Sequence, residues 1–363
     1  MHNIELMKFS KYFIFLILFL SSFRLYAQAT KTDSLSILFI GNSFTHMNDM
    51  PSIFNKLAVA KGKTVHVEKN TQAGASFHVH TTRLDMFEKI KSRKWDYIVL
   101  QAFSREFCHP KEYIDTASIP YFSQILDTIK TNHSCTNLLL YNTWAYKNGF
   151  AEREEINTFE KMQDSIICGY RYVAEKFSIP IVPVGMVWKY VRETNPNLNL
   201  YVEDEAHPNK LGSYLSACTF FASIFDESPE GALTSTISTE NALIIQKAAA
   251  SIVLPNYKLF NLDVNTSSVK YFRSKGVEYI TECKSNYPNA TKITWDFGNG
   301  KISNDPNVIY AYPKAGKYTI KLTVEDLCGT RIIFKKVVFA APKKPKKPSK
   351  SLPVKDSKSK KKI

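Results

Sequence analysis

Beyond its first thirty residues the 363-residue chain has no apolar run long enough to cross a bilayer, so the mature protein is expected to carry no transmembrane segment. It has no close pair of cysteines either. Cys108, Cys135, Cys168, Cys218, Cys283 and Cys328 are scattered, which excludes the paired thiolates of a zinc site. No group of histidines and carboxylates stands at metal-ligand spacing, so neither a metal nor another cofactor is expected. There is no internal repeat. The Lys-rich C-terminus has no aromatic residue on which a base could stack, so specific nucleic-acid binding is not expected.

What is present begins with an export signal. Lys8 and Lys11 precede the apolar run Tyr12 to Leu20, and Ala27 and Ala29 offer a small-residue cleavage site, so residues 1–29 read as a signal peptide that is removed. No cysteine follows the run, which argues against a lipoprotein. The expected destination is the periplasm, the cell surface or the medium. An exported chain can form disulfides, and Cys283 with Cys328 is the favoured pair because both lie in the C-terminal part. The formal charge of +15 is concentrated at the ends. Residues 343–363 hold ten Lys against one Asp, and the folded part is left with about +4. With Pro345 and Pro348 interleaved, residues 342–363 read as an extended, solvated tail suited to nonspecific electrostatic contact.

From Ser34 to about Phe225 short apolar runs alternate with amphipathic segments of helical length, the pattern of a three-layer α/β/α sandwich around a parallel sheet. Strands are predicted at Leu35–Ile40, Thr64–Glu68, Tyr97–Leu100, Asn137–Tyr141 and Ile179–Val184. Helices should start near Met50, Thr82, Ile119 and Arg153 and after Pro208, with a further one over Asn241–Val253. The α/β domain is assigned residues 30–257. From there the pattern changes to period-two alternation, as in Tyr318-Thr319-Ile320-Lys321-Leu322-Thr323-Val324, with turns at Gly298-Asn299-Gly300 and Lys314-Ala315-Gly316. Residues 258–341 therefore read as an all-β sandwich.

The first strand ends in Gly41-Asn42-Ser43-Phe44-Thr45, with Asp49 a candidate N-cap and Pro51 in the first turn of the following helix. Ser43 thus stands at the carboxyl end of a parallel strand, where open α/β sheets bind ligands. It is a candidate nucleophile; a turn or capping serine would look the same. Near the end of the domain, Asp204-Glu205-Ala206-His207-Pro208 places a carboxylate three residues before an imidazole. That spacing lets Asp204 hold one ring nitrogen of His207 while the other acts as a base, though an exposed loop would also carry such residues.

Together the two segments resemble the SGNH, or GDSL-like, hydrolase superfamily, in which a serine block opens the domain and an Asp-x-x-His block closes it. The resemblance runs from about Ile37 to Phe225. It implies a catalytic set of Ser43, His207 and Asp204. It also implies an oxyanion hole made by the amides of Ser43 and Gly74, the latter in Gln72-Ala73-Gly74-Ala75-Ser76, with an amide side chain after the third strand. Two positions depart from the family pattern. Asn42 replaces its usual Asp, and Leu100-Gln101-Ala102-Phe103-Ser104 replaces Gly-x-Asn-Asp, which leaves Gln101 as the substitute amide donor. Asn42, His80 and Trp144 are the expected substrate-binding residues. For His80 a solvated loop, and for Trp144 a core position, are the alternatives. Asn142 and Tyr146 lie at the same end of the sheet, and Glu203 and Glu205 are expected to face water.

Trp295-Asp296-Phe297-Gly298-Asn299-Gly300, with Pro306, Tyr310 and Gly316 to Asp326, resembles a PKD domain, an immunoglobulin-like sandwich. Trp295 is expected in its core, and such a module implies contacts with polysaccharide or a cell surface. The combined expectation is an exported serine esterase acting on O-acyl groups, acetyl above all, of a carbohydrate. A catalytically degenerate glycan-binding protein and an O-acyltransferase using the same residues are the alternatives.

Overall fold

The computed structural model describes residues 34–232, 237–273 and 279–340; the expected signal peptide and Lys/Pro-rich tail lie outside them. The chain divides after Asp263 into two compact units. The expected division after residue 257 falls short because Phe260 and Leu262 are buried in the first core, and the Ile181 amide donates to the Phe260 carbonyl.

In the first unit, β1 (Leu35–Gly41), β2 (Val65–Thr71), β3 (Tyr97–Leu100), β4 (Asn137–Tyr141) and β5 (Ile181–Val182) form a parallel sheet in the order β2-β1-β3-β4-β5. The helices are α1 (Ser43–His46), α2 (Met50–Ala60), α3 (Phe77–Thr81), α4 (Leu84–Lys91), α5 (Lys111–Ala117), α6 (Ile119–Asn132), α7 (Phe159–Phe177), α8 (Val184–Thr194), α9 (Lys210–Phe225) and α10 (Thr239–Val253). Four consecutive β1 residues, Ile37 to Ile40, are fully buried. Such a strand must be covered on both faces, which is why it reads as an unbroken apolar run. Phe39 meets Phe54 of α2 and Phe220 of α9 edge-on, with centroids 5.9 and 5.0 Å away. Because β2 and β3 flank β1 on opposite sides, the chain leaves β1 at the point where the strand order reverses, the place at the carboxyl ends of the strands where open α/β sheets form their ligand crevice.

The fifth strand is shorter than the run Ile179–Val184 predicts. Only Ile181 and Val182 pair, with Leu140 and Tyr141, and Val184 already begins α8, a helix the sequence reading lacks. Pro183 accounts for the break, since it has no amide to continue the ladder and suits the start of a helix. Asp49 occupies the N-cap position of α2 but makes no capping bond; its carboxylate accepts from Lys69 instead.

In the second unit β6 (Thr266–Arg273), β7 (Tyr279–Asn286) and β10 (Asn307–Tyr312) form one antiparallel sheet. A second contains β8 (Ala290–Asp296), β9 (Ile302–Ser303), β11 (Gly316–Asp326) and β12 (Gly329–Phe339). Alternate residues Ile320, Leu322 and Val324 of β11 point inward with Trp295, Phe297 and Val337, the period-two packing of an immunoglobulin-like sandwich. Cys283 is fully buried in this core as a free thiol, so the expected Cys283–Cys328 bridge is not made.

Candidate active site

Ser43 is the first residue of α1, directly after β1. The preceding Asn42 caps that short helix, its Oδ1 accepting from the Phe44 amide at 3.1 Å. At the other end of the domain, Asn209 caps α9 by accepting from the amides of Leu211 and Gly212. This cap fixes the chain just beyond His207 and Pro208. Asn48 ties the two ends together, its Nδ2 donating to the Pro208 carbonyl at 3.0 Å and to Ser213 Oγ at 2.9 Å.

The result is a continuous hydrogen-bonded chain of three side chains. Ser43 Oγ lies 2.8 Å from His207 Nε2, and His207 Nδ1 lies 2.5 Å from Asp204 Oδ2. The second carboxylate oxygen, Oδ1, accepts from the backbone amides of Ala206 and His207, both at 2.9 Å. Glu205 takes a positive φ of 59° to make this tight loop. Partial burial alone would raise the Asp204 pKa, but the two amides and the imidazole outweigh it and hold the carboxyl below its ordinary range. The side chains of His207 and Asp204 keep 33% and 50% of their exposure, so solvent reaches both.

Asn42 and Gln101 are brought together, but not toward the crevice. Gln101 is fully buried at the end of β3. Its Oε1 accepts from the Asn42 amide at 2.9 Å and from Thr45 Oγ1 at 2.9 Å. Its Nε2 donates to Asn42 Oδ1 at 2.9 Å and to the Ala102 carbonyl at 2.5 Å. A primary amide has two N–H donors, and both are engaged, so the structure gives Gln101 no donor for an oxyanion. Asn42 is equally committed, its Nδ2 reaching the carbonyls of Ala75 and Ala102. The two residues that depart from the family pattern are therefore partners in one buried amide bridge beneath the serine turn. Gly41 completes it, because a Cβ there would stand 2.5 Å from Gln101 Oε1. Gly74 lies in the exposed turn fastened to Asn42 through Ala75, with a φ of +68° and open space where a Cβ would be.

His80 and Trp144 are likewise buried, not pocket-lining. His80 is wholly enclosed, and desolvation, with help from nearby Arg83, pushes its pKa down to about 4. Trp144, also fully buried, is the centre of an aromatic stack. It lies parallel to Phe44 at 4.5 Å and to Trp188 of α8 at 4.1 Å. Its Nε1 donates to the Ala206 carbonyl at 3.0 Å, while Phe44 meets the His207 ring edge-on at 5.4 Å. Trp144 thus touches the neighbours of both Ser43 and His207. Sequence reading placed it at the correct end of the sheet but missed this role, because Trp188 sits on the helix that went unpredicted. Asn142 is buried. Glu205 does not simply face water; it pairs with Lys147 Nζ at 2.9 Å and Asn148 Nδ2 at 2.6 Å. One more buried acid escaped notice. Glu106 accepts from the amides of Phe77 and Phe103, and burial, only partly countered by those bonds, raises its pKa to about 7.

Among the described residues no cluster of His, Cys, Asp and Glu could hold a metal ion, and no helix is long and apolar enough to cross a membrane.

Residues 277–337 match the model of the PKD domain, and residues 86–251 match that of DUF4886, a domain of unknown function. No curated protein matches the chain. Among solved structures, a DUF4886 family protein from Bacteroides uniformis is 22% identical, with 61% of this chain covering 95% of that one at a TM-score of 0.54. An acetyl xylan esterase, AlAXEase, is 13% identical over 53% of this chain and 100% of its own, with a TM-score of 0.42. The acetylxylan esterase Axe2 from Geobacillus stearothermophilus is 15% identical over 53% and 94%, with a TM-score of 0.39. At such identities the likeness concerns the fold. The chain carries a three-layer α/β/α domain around a parallel sheet, followed by residues that match the PKD domain.

Proposed function

We propose that the protein is an exported serine esterase that removes small O-acyl groups, acetyl first among them, from a carbohydrate. The observation that carries this reading is the chain Ser43–His207–Asp204, with 2.8 and 2.5 Å between successive polar atoms. In the proposed cycle Ser43 Oγ attacks the ester carbonyl while His207 Nε2 takes its proton, and the Asp204 carboxylate keeps Nδ1 protonated. The imidazolium then gives that proton to the departing sugar oxygen. Water, deprotonated by the same ring, attacks the acyl-enzyme and releases acetate and free Ser43. The developing oxyanion is assigned to the amides of Ser43 and Gly74, because Gln101 has both of its N–H groups engaged. Export rests on Lys8, Lys11 and the apolar run before Ala27. Carbohydrate as the substrate rests on the PKD domain beside an SGNH-like fold, an analogy at the level of architecture.

The test combines a fluorophosphonate probe with acetate release from acetylated polysaccharides. Labelling at Ser43 and turnover that is abolished in Ser43→Ala are expected. An unlabelled Ser43 in folded protein, or a Ser43→Ala variant with the wild-type rate, overturns the reading. The first of these outcomes points to a glycan-binding relic. Acetyl transfer to an added sugar acceptor in place of free acetate would identify a transferase.

A further inference from the structure

The loops that follow β3 and β4 carry a cation that no described carboxylate pairs with. Arg105 is part-exposed, and among the described residues no carboxylate lies within ion-pair distance of it. The groups it contacts are uncharged. The guanidinium stacks over Phe150 at 3.9 Å and lies 5.4 and 5.7 Å from the rings of Phe103 and Tyr146. One nitrogen donates to the Tyr146 hydroxyl at 3.2 Å, and Ser104 Oγ meets the same hydroxyl at 2.8 Å. Three rings and one hydrogen bond therefore fix the head group in place, yet most of its five N–H donors have no acceptor among the described residues.

Connectivity puts this group beside the serine site. Ala102, three residues before Arg105, accepts from Asn42 next to Ser43. Tyr146 lies two residues after Trp144, which stacks on Phe44. Lys147, the next residue, donates its amide to the carbonyl of Glu205 in the loop that holds Asp204 and His207. All of these segments lie at the carboxyl end of the sheet.

We propose that Arg105 is the anchor for a carboxylate on the substrate, so that the preferred ester is carried by an acidic sugar such as a uronic acid. A rigid guanidinium matches a carboxylate with two parallel N–H···O bonds, a recognition that lysine cannot reproduce. The part-exposed faces of Phe103 and Tyr146 give an adjoining sugar ring an apolar surface. The folded part keeps a net charge of about +4, and the ten Lys against one Asp in residues 343–363 add to the attraction that draws polyanions toward the protein before any specific contact is made. This assignment deepens the esterase reading and rests on it for the ester, but not for the carboxylate.

The experiment therefore has a turnover arm and a binding arm. In the first, acetate release is compared on acetylated polygalacturonate and on the same polymer with its carboxyls methyl-esterified. The wild-type kcat/KM should favour the free acid by about tenfold or more, the range of one charge-assisted pair. Arg105→Gln should bring that ratio close to one, and Arg105→Lys should fall between. In the second, full-length Ser43→Ala is titrated calorimetrically with galacturonate oligomers, with and without Arg105→Gln. Binding that depends on Arg105 and weakens with salt supports the anchor even where no ester is turned over, a result that would count against the esterase reading alone. Equal rates on both polymers, or oligomer binding unaffected by Arg105→Gln, overturns the proposal.

Discussion

Replacing Gln101 by alanine separates two jobs that the sequence alone confuses. A direct oxyanion donor contributes to the transition state and little to folding; its removal costs about 10²–10³ in kcat and leaves stability nearly unchanged. The structure makes Gln101 a scaffold instead. Its loss strands the buried Asn42 amide and the Thr45 hydroxyl, each of which now donates to Oε1 at 2.9 Å. Leaving a buried donor unpaired costs about 1–3 kcal/mol, so the pair amounts to about 2–6 kcal/mol, before any loss from the cavity. For a domain of this size each kcal/mol lowers Tm by about 2–4 °C, which places the expected drop at roughly 4–24 °C. Activity on a chromogenic acetate ester should fall too, because the bridge holds the turn that presents Ser43. Calorimetry on the full chain, read at the transition of the α/β domain, gives the first number and steady-state kinetics the second. A Tm within about 2 °C of wild type together with a hundredfold or greater loss of kcat would refute the scaffold argument and restore Gln101 to the oxyanion hole. Gly41→Ala should mimic Gln101→Ala, since its Cβ would stand 2.5 Å from Oε1.

Asp204→Asn should lower kcat by about 10³–10⁴, because an amide cannot hold the His207 tautomer; a loss smaller than tenfold refutes the role. Trp144→Phe keeps a ring between Phe44 and Trp188 but deletes the bond to the Ala206 carbonyl. It should reduce kcat roughly fivefold with little change in KM, since one hydrogen bond of about 1 kcal/mol positions the His207 loop; a change confined to KM argues for substrate contact instead. Two buried groups should tilt stability against pH in opposite directions. Glu106, raised from 4.5 to about 7, keeps a proton that the unfolded chain releases, so its contribution is lost as pH rises through that window. His80, lowered from 6.5 to about 4, refuses a proton that the unfolded chain accepts, so stability is lost as pH falls from 6.5 toward 4. Each is worth about 3 kcal/mol, and they largely offset one another between pH 5 and 6. Glu106→Gln should therefore unmask a steeper acid decline in urea midpoints, and an unchanged profile would contradict the assignment of Glu106.

The architecture was legible because its main elements obey single rules. Ile37 to Ile40 is an apolar run of strand length, and Tyr318 to Val324 alternates at period two. The Ser43 and Asp204–His207 segments stood out for their chemistry at strand and helix ends. What could not be read was the direction in which polar side chains point. Asn42, Gln101 and His80 have the residue types of a binding site, yet each faces inward, and only the three-dimensional approach of β1, β3 and the Gly74 turn decides that. Asn48 was equally hidden, because its partners Pro208 and Ser213 are 160 and 165 residues away. Cys283 followed the same pattern, since membership of one module does not bring two cysteines within bonding distance.

The hidden residues share a task. Ser43 and His207 are 164 positions apart, and two side chains arriving from opposite ends of a domain meet at 2.8 Å only if something holds both. Asn48 does this through backbone and hydroxyl, Trp144 through a ring face and an indole N–H, and the Asn42–Gln101 bridge from below. None of the three supplies a reacting atom. The residues proposed to make the chemistry were visible because their chemistry is unusual; those that hold them in place are ordinary Asn, Gln and Trp whose meaning lies in what they touch. Substitutions at these supports should therefore lower activity and stability together, whereas Ser43→Ala should remove activity and leave the fold intact, and that contrast is the measurable difference between the two groups.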